Sequence, residues 1–183
     1  MKLSVLFYFA SDKPLEEIEN PHYKYFSVNE ALARGIEVPD FVLNSTIIDK
    51  DKPKVILWSD LDMRKEIDPV TRKVVDNGID DDFSIHPFEY YSELHTTKQY
   101  MAKLAWDVYS EGRARHIIEY IKKHMEQVDE MEIWNVWLTN LEIPAIHRTE
   151  IKLDDVTVET IRMIDDIEVS RDPITHYCYT IRK

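Results

Sequence analysis

The sequence predicts an α+β fold, a mainly antiparallel sheet with two or three helices, and three observations carry that reading. From Lys98 to Asn140 the pattern runs strand, helix, strand with clear punctuation. A second strand, helix, strand run follows it, so residues 98–183 show the βαββαβ order of a ferredoxin-like fold. The chain before residue 90 is irregular and hairpin-rich, and is expected to pack on that sheet. The whole is read as one domain, 1–183. Its natural subdivision is a hairpin-rich part, 1–90, and a ferredoxin-like part, 91–183, with the charged stretch after Asp76 as the seam.

Leu3 to Phe9 is apolar on both alternating sets of side chains, the mark of a central strand, and Pro14 closes it. Ser27-Val28-Asn29-Glu30 is a capping box, and Gly35 is placed to end the resulting two-turn helix in a left-handed conformation. Val55 to Trp58 reads as a strand. Glu66 to Val75 reads as a hairpin turned at Asp68-Pro69. Tyr100 to Trp106 alternates as a strand buried on one side. Ser110 caps a helix whose apolar positions, Ala114, Ile117, Ile118, Ile121, Met125 and Val128, draw one narrow stripe. Lys122, Lys123 and His124 put positive charge at the negative end of its dipole.

Met131 to Leu138 is a strand apolar on both faces, with Trp134 and Trp137 pointing opposite ways. One layer of helices covers only one face, so the N-terminal half or a second subunit is expected to cover the other. Pro144 breaks the run, Ile146 to Leu153 is a more polar strand, Asp154 or Asp155 caps a last helix through Ile164, and Ile174 to Ile181 closes the chain as a strand.

Composition narrows the function. With 23 Lys+Arg against 35 Asp+Glu the formal net charge is −12, which disfavours nucleic acid and anionic membrane as partners. The single Cys178 excludes a disulfide framework and any multi-cysteine metal site, and fits a cytoplasmic setting. The apolar start, Met1 to Ala10, lacks the cleavage site of a signal peptide, and no stretch has the roughly 18 apolar residues of a membrane span. Gly35, Gly78 and Gly112 stand alone, so neither a P-loop nor a dinucleotide fingerprint is present, and no cofactor is expected.

Four groups of residues invite a chemical reading. His86, Glu89 and His95 combine two imidazoles with a carboxylate, able in principle to move protons near neutral pH, and are the candidate site of a small enzyme or ligand-binding domain. Asp80-Asp81-Asp82 is an acidic run suited to a basic protein partner; it lacks the pattern of a calcium loop, so no metal is expected there. Arg113, Arg115, His116, Lys122 and Lys123 share a helix with Glu111, Glu119 and Glu126, which reads as a solvated face. Trp134 is the candidate aromatic contact for a second layer or a partner, and Cys178, two residues from His176, reads as a buried thiol. No catalytic constellation stands out. The expectation is therefore a soluble, non-catalytic binding or interaction protein that uses an acidic surface, for instance an inhibitor or immunity-type protein, with a basic protein or a second copy of itself as partner.

Overall fold

The computed structural model describes residues 5–61, 66–70, 74–87, 95–137, 145–166 and 175–183. Glu89, residues 71–73 of the expected 66–75 hairpin and Pro144 lie outside the described residues, as does the side chain of Trp137. The chain divides into two compact units. Unit 1 comprises residues 1–19 and 76–183, and unit 2 comprises residues 20–75.

Unit 1 is built on a six-stranded mixed sheet. Its strands are β1 (Val5–Ser11), β4 (Ser84–Pro87), β5 (Tyr100–Ala105), β6 (Glu130–Trp137), β7 (Ala145–Lys152) and β8 (Thr175–Arg182), arranged β4-β5-β1-β6-β8-β7. All neighbours are antiparallel except β7 and β8, which are parallel. Helices α3 (Glu111–Met125) and α4 (Val158–Asp165) complete the unit.

The α+β class and the element order of residues 98–183 are as the sequence predicts. The spatial order is not that of a ferredoxin-like sheet, in which each βαβ unit is split by a strand of the other. Here β1 splits β5-α3-β6, while β7 and β8 lie side by side across α4. The reason is in β1 itself. Phe7 and Phe9 enter the core on one side, and Leu6, Tyr8 and Ala10 enter a second core on the other. A strand apolar on both faces must sit centrally, and between β5 and β6 both its faces are covered.

Ser110 accepts a hydrogen bond from the Arg113 amide and caps α3. Ala114, Ile117, Ile121 and Met125 form its buried stripe. At about 1.5–3 kcal/mol for each large apolar side chain, that stripe outweighs the surface ion pairs of the same helix, such as Arg115–Glu111, worth about 0.3–0.5 kcal/mol. Two residues read from sequence as part of its solvated face and charged end are buried instead. Arg113 is 1% exposed and donates to Asp76, Asn77 and the carbonyl of Val108, fastening the 76–82 turn to the first turn of the helix. His124 is buried against the Ser11 hydroxyl, 2.7 Å from its Nε2, and burial lowers its pKa. It therefore adds no charge to the dipole at neutral pH. The cap of α4 is likewise Thr157, in a reciprocal pair with Thr160, and not Asp154 or Asp155, which lie in the preceding 3-10 turn.

Unit 2 is small. Strands β2 (Tyr23–Phe26) and β3 (Ile56–Ser59) form an antiparallel pair, and helices α1 (Val28–Ala33) and α2 (Asp40–Leu43) pack a core of Val28, Ala31, Val38, Val42 and Ile56. The expected capping box is present: the Glu30 amide donates to Ser27 Oγ at 3.1 Å and the Ser27 amide to Glu30 at 2.8 Å. Gly35 has φ +70°, and the Ile36 amide reaches back to the Ala31 carbonyl, the left-handed ending that a residue without Cβ adopts readily. Of the 66–75 hairpin, the described residues show the bridge Ile67–Val74 and an Asp68 turn closed by the Val70 amide.

Candidate functional site

One row of residues crosses the whole sheet of unit 1 in register: His86, Lys103, Tyr8, Trp134, Cys178, Arg148. It separates the two histidines singled out from sequence. His86 stands on the edge strand β4, hydrogen-bonded to Glu17 at 2.8 Å. His95 lies over the far side of the same face, its ring 6.1 Å from Trp134 and 4.8 Å from His176. Three strand steps of about 4.8 Å place the backbones of His86 and Trp134 roughly 14 Å apart. The two histidines are thus not brought together, and Glu89 lies outside the described residues. Among the described residues no group of three or more His, Cys, Asp or Glu is placed to hold a metal ion.

The titratable groups that do converge lie around Glu132. This carboxylate is 6% exposed and accepts from Thr96 Oγ1 at 2.5 Å, from Trp134 Nε1 at 2.7 Å and from Arg148 at 3.2 Å. Arg148 also donates to the His95 carbonyl at 2.7 Å, lies 3.3 Å from Cys178 Sγ and stacks 4.9 Å over the Trp134 ring. Trp134 is fully buried and lies parallel to Tyr8 at 5.9 Å. Glu132, the Trp134 N–H and Arg148 therefore each have a partner, as burial demands. Burial, with the Glu132 carboxylate behind it, pushes the Cys178 thiol up to about 12. Burial and the neighbouring His95 push His176 down to about 4. Both are neutral at pH 7, the wrong states for a thiolate–imidazolium pair. Chemically the cluster pins residues 95–98 across the sheet.

The Asp80-Asp81-Asp82 run sits at the N-terminus of α3. The Asp80 carboxylate lies over Gly112, where a Cβ would meet its carbon at 1.7 Å, and is 3.4 Å from Ser110 Oγ. A Cβ at position 112 would displace that carboxylate. Asp82 is buried and accepts from Asn77 at 2.6 Å, while Asp81 is exposed. Asp80 and Asp82 thus have internal contacts, and both belong to the turn that Arg113 fastens to α3.

An open concavity lies in unit 2, a groove of about 620 Å³ lined by Lys24, Phe26, Arg34–Glu37 and Leu57–Ser59. Its geometry follows from the chain's local signals. The strand register sets Lys24 opposite Trp58, and the Lys24 ammonium rests 5.3 Å from the indole. Phe26 ends β2 just before the cap of α1, and two turns later Arg34 at the C-cap returns its guanidinium to 4.9 Å above that ring. Each cation gains about 0.5–1 kcal/mol from its aromatic face at such exposed positions. Neither makes an ion pair with a described residue.

Lys24, Phe26 and Arg34 are not singled out by the sequence. An aromatic before a helix cap with a cation at its far end was a readable signal. The Lys24–Trp58 pairing was not, because only the register brings it about. Comparison with known proteins finds no matching family model, no matching curated relative and no matching solved structure. No helix among the described residues is long and apolar enough to cross a membrane.

Proposed function

We propose that the chain is a non-catalytic binding protein of the cytoplasm, whose acidic unit 1 holds a basic protein partner in the manner of an inhibitor or immunity-type protein. The observation that carries this reading is the segregation of charge. Residues 20–75 hold nine Lys+Arg and nine Asp+Glu, so unit 2 is neutral. The other 14 bases and 26 acids, the whole surplus of −12, belong to unit 1. Part of that surplus is free: Asp154 and Asp155 are exposed and make no ion pair among the described residues. Such a field raises the encounter rate with a cationic surface and disfavours acidic competitors. The neutral, buried state of Cys178 and His176 supports the non-catalytic half of the reading.

The test is a pull-down with the full chain, followed by association kinetics at increasing salt. A basic partner is expected, with an association rate that falls at least tenfold on about a tenfold rise in ionic strength and is lower for Asp154→Asn/Asp155→Asn. A partner without basic character, or kinetics indifferent to salt, would sink the proposal.

A further inference from the structure

We infer that the groove of unit 2 is a receptor for an acidic polypeptide segment in extended conformation, a second interaction surface of opposite preference to the one proposed above. Three features point there. The first is charge. In a chain with 35 acidic groups for 23 basic ones, Lys24 and Arg34 face the groove with no carboxylate partner among the described residues. Each cation is held against a ring, so its position is set in advance and its N–H donors remain available. A guanidinium can take a carboxylate with two hydrogen bonds.

The second is the backbone. Three consecutive residues of β3, Leu57, Trp58 and Ser59, line the groove. Side chains alternate along a strand, so a wall made of consecutive residues includes main chain. Among the described residues β3 pairs only with β2, and its other edge has no strand neighbour. An extended segment can hydrogen-bond along such an edge while its alternate side chains reach the cations and the aromatic floor.

The third feature selects against other anions. Glu37 stands in the same wall. A polyphosphate or nucleic-acid backbone would bring dense negative charge against it and against a chain of net charge −12. A peptide carrying separate carboxylates between apolar side chains can meet Lys24 and Arg34 and leave Glu37 alone.

The test is selection of a displayed library of random ten-residue peptides on the immobilised full chain and on Lys24→Gln/Arg34→Gln, in the presence and absence of sodium pyrophosphate. Peptides rich in Asp and Glu between β-prone residues are expected from the native chain. The best of them should bind the double variant at least tenfold more weakly and should shift the Trp58 indole N–H resonance of the native protein. That last reading stands even if the variant fails to fold. Enrichment of basic or neutral peptides, equal binding to the double variant, a peptide that leaves Trp58 unmoved, or a Trp58 shift with pyrophosphate alone would each overturn the inference. Asp154→Asn/Asp155→Asn is expected to leave this binding unchanged, so failure here and failure of the acidic-surface proposal are separate results.

Discussion

The Glu132 cluster and the groove of unit 2 both combine a guanidinium with an aromatic ring, yet they have opposite prospects. Arg148 lies over Trp134 with its donors spent on Glu132 and a carbonyl. Arg34 lies over Phe26 and makes no ion pair with a described residue. Burial accounts for the difference. A buried carboxylate left unpaired is so costly that the fold surrounds it with donors, whereas an exposed cation is solvated and can wait for a ligand. A constellation of titratable side chains is therefore a poor guide to function when it is buried and fully satisfied.

The largest expected effect tests that satisfaction. Glu132→Ala leaves the Trp134 N–H, the Thr96 hydroxyl and one arm of Arg148 without their acceptor, and should cost about 2–4 kcal/mol, the lower part of the usual range for a broken buried pair because Arg148 is half exposed. Urea denaturation reads it directly. A loss under 1 kcal/mol would mean the cluster is less closed than the comparison holds.

The same face supplies a pH dependence. His176 is neutral when folded, its pKa lowered to about 4, whereas the unfolded side chain takes up a proton near 6.5. Between those values the unfolded state binds more protons, so stability is full above about pH 6.5 and falls as the pH drops toward 4, by roughly 3 kcal/mol in all. His124 is shifted in the same direction and adds to the slope. Urea midpoints at pH 7.5, 6 and 5 should decline steadily, and His176→Asn should flatten part of that decline. A level profile across this window would contradict the assignment.

What the sequence made legible was local. The Ser27 box, the Gly35 ending, the Ser110 cap and the stripe of α3 each depend on residues three or four apart, and all are found in place. What it hid was long-range. Arg113 looks like a surface residue until its partners Asp76 and Asn77, 37 and 36 positions away, are known, and His124 looks charged until Ser11, 113 positions away, is set beside it. The insertion of β1 between β5 and β6 belongs to the same class: its two apolar faces announce a central strand without saying which neighbours it takes. The pairing of Lys24 with Trp58 belongs there too.

Gly112 shows the cost of such a hidden contact at one atom. Alanine in the first turn of a helix ordinarily gains up to about 1 kcal/mol over glycine. At position 112 its Cβ would land on the Asp80 carboxylate and force it from the helix N-terminus. Gly112→Ala should therefore leave the native chain nearly unchanged, the lost helix-terminus contact offsetting the propensity gain, and stabilise the Asp80→Ala chain by about 0.5–1 kcal/mol. The coupling between the two positions in a double-mutant cycle is the measurement.

The smallest expected effect bears hardest on the groove. Lys24→Gln and Arg34→Gln remove exposed cations whose contacts are their aromatic faces and the distant field of Glu30 on Arg34. Each should change the unfolding free energy by no more than about 0.5–1 kcal/mol, within reach of ordinary surface substitutions. Thermal unfolding of the two single variants checks this. A loss of 2 kcal/mol or more from either would place that cation in the structural class of Arg148, spent on the fold. A loss near zero leaves both cations in place for a ligand, because groups that stability does not need are the ones a binding surface can use.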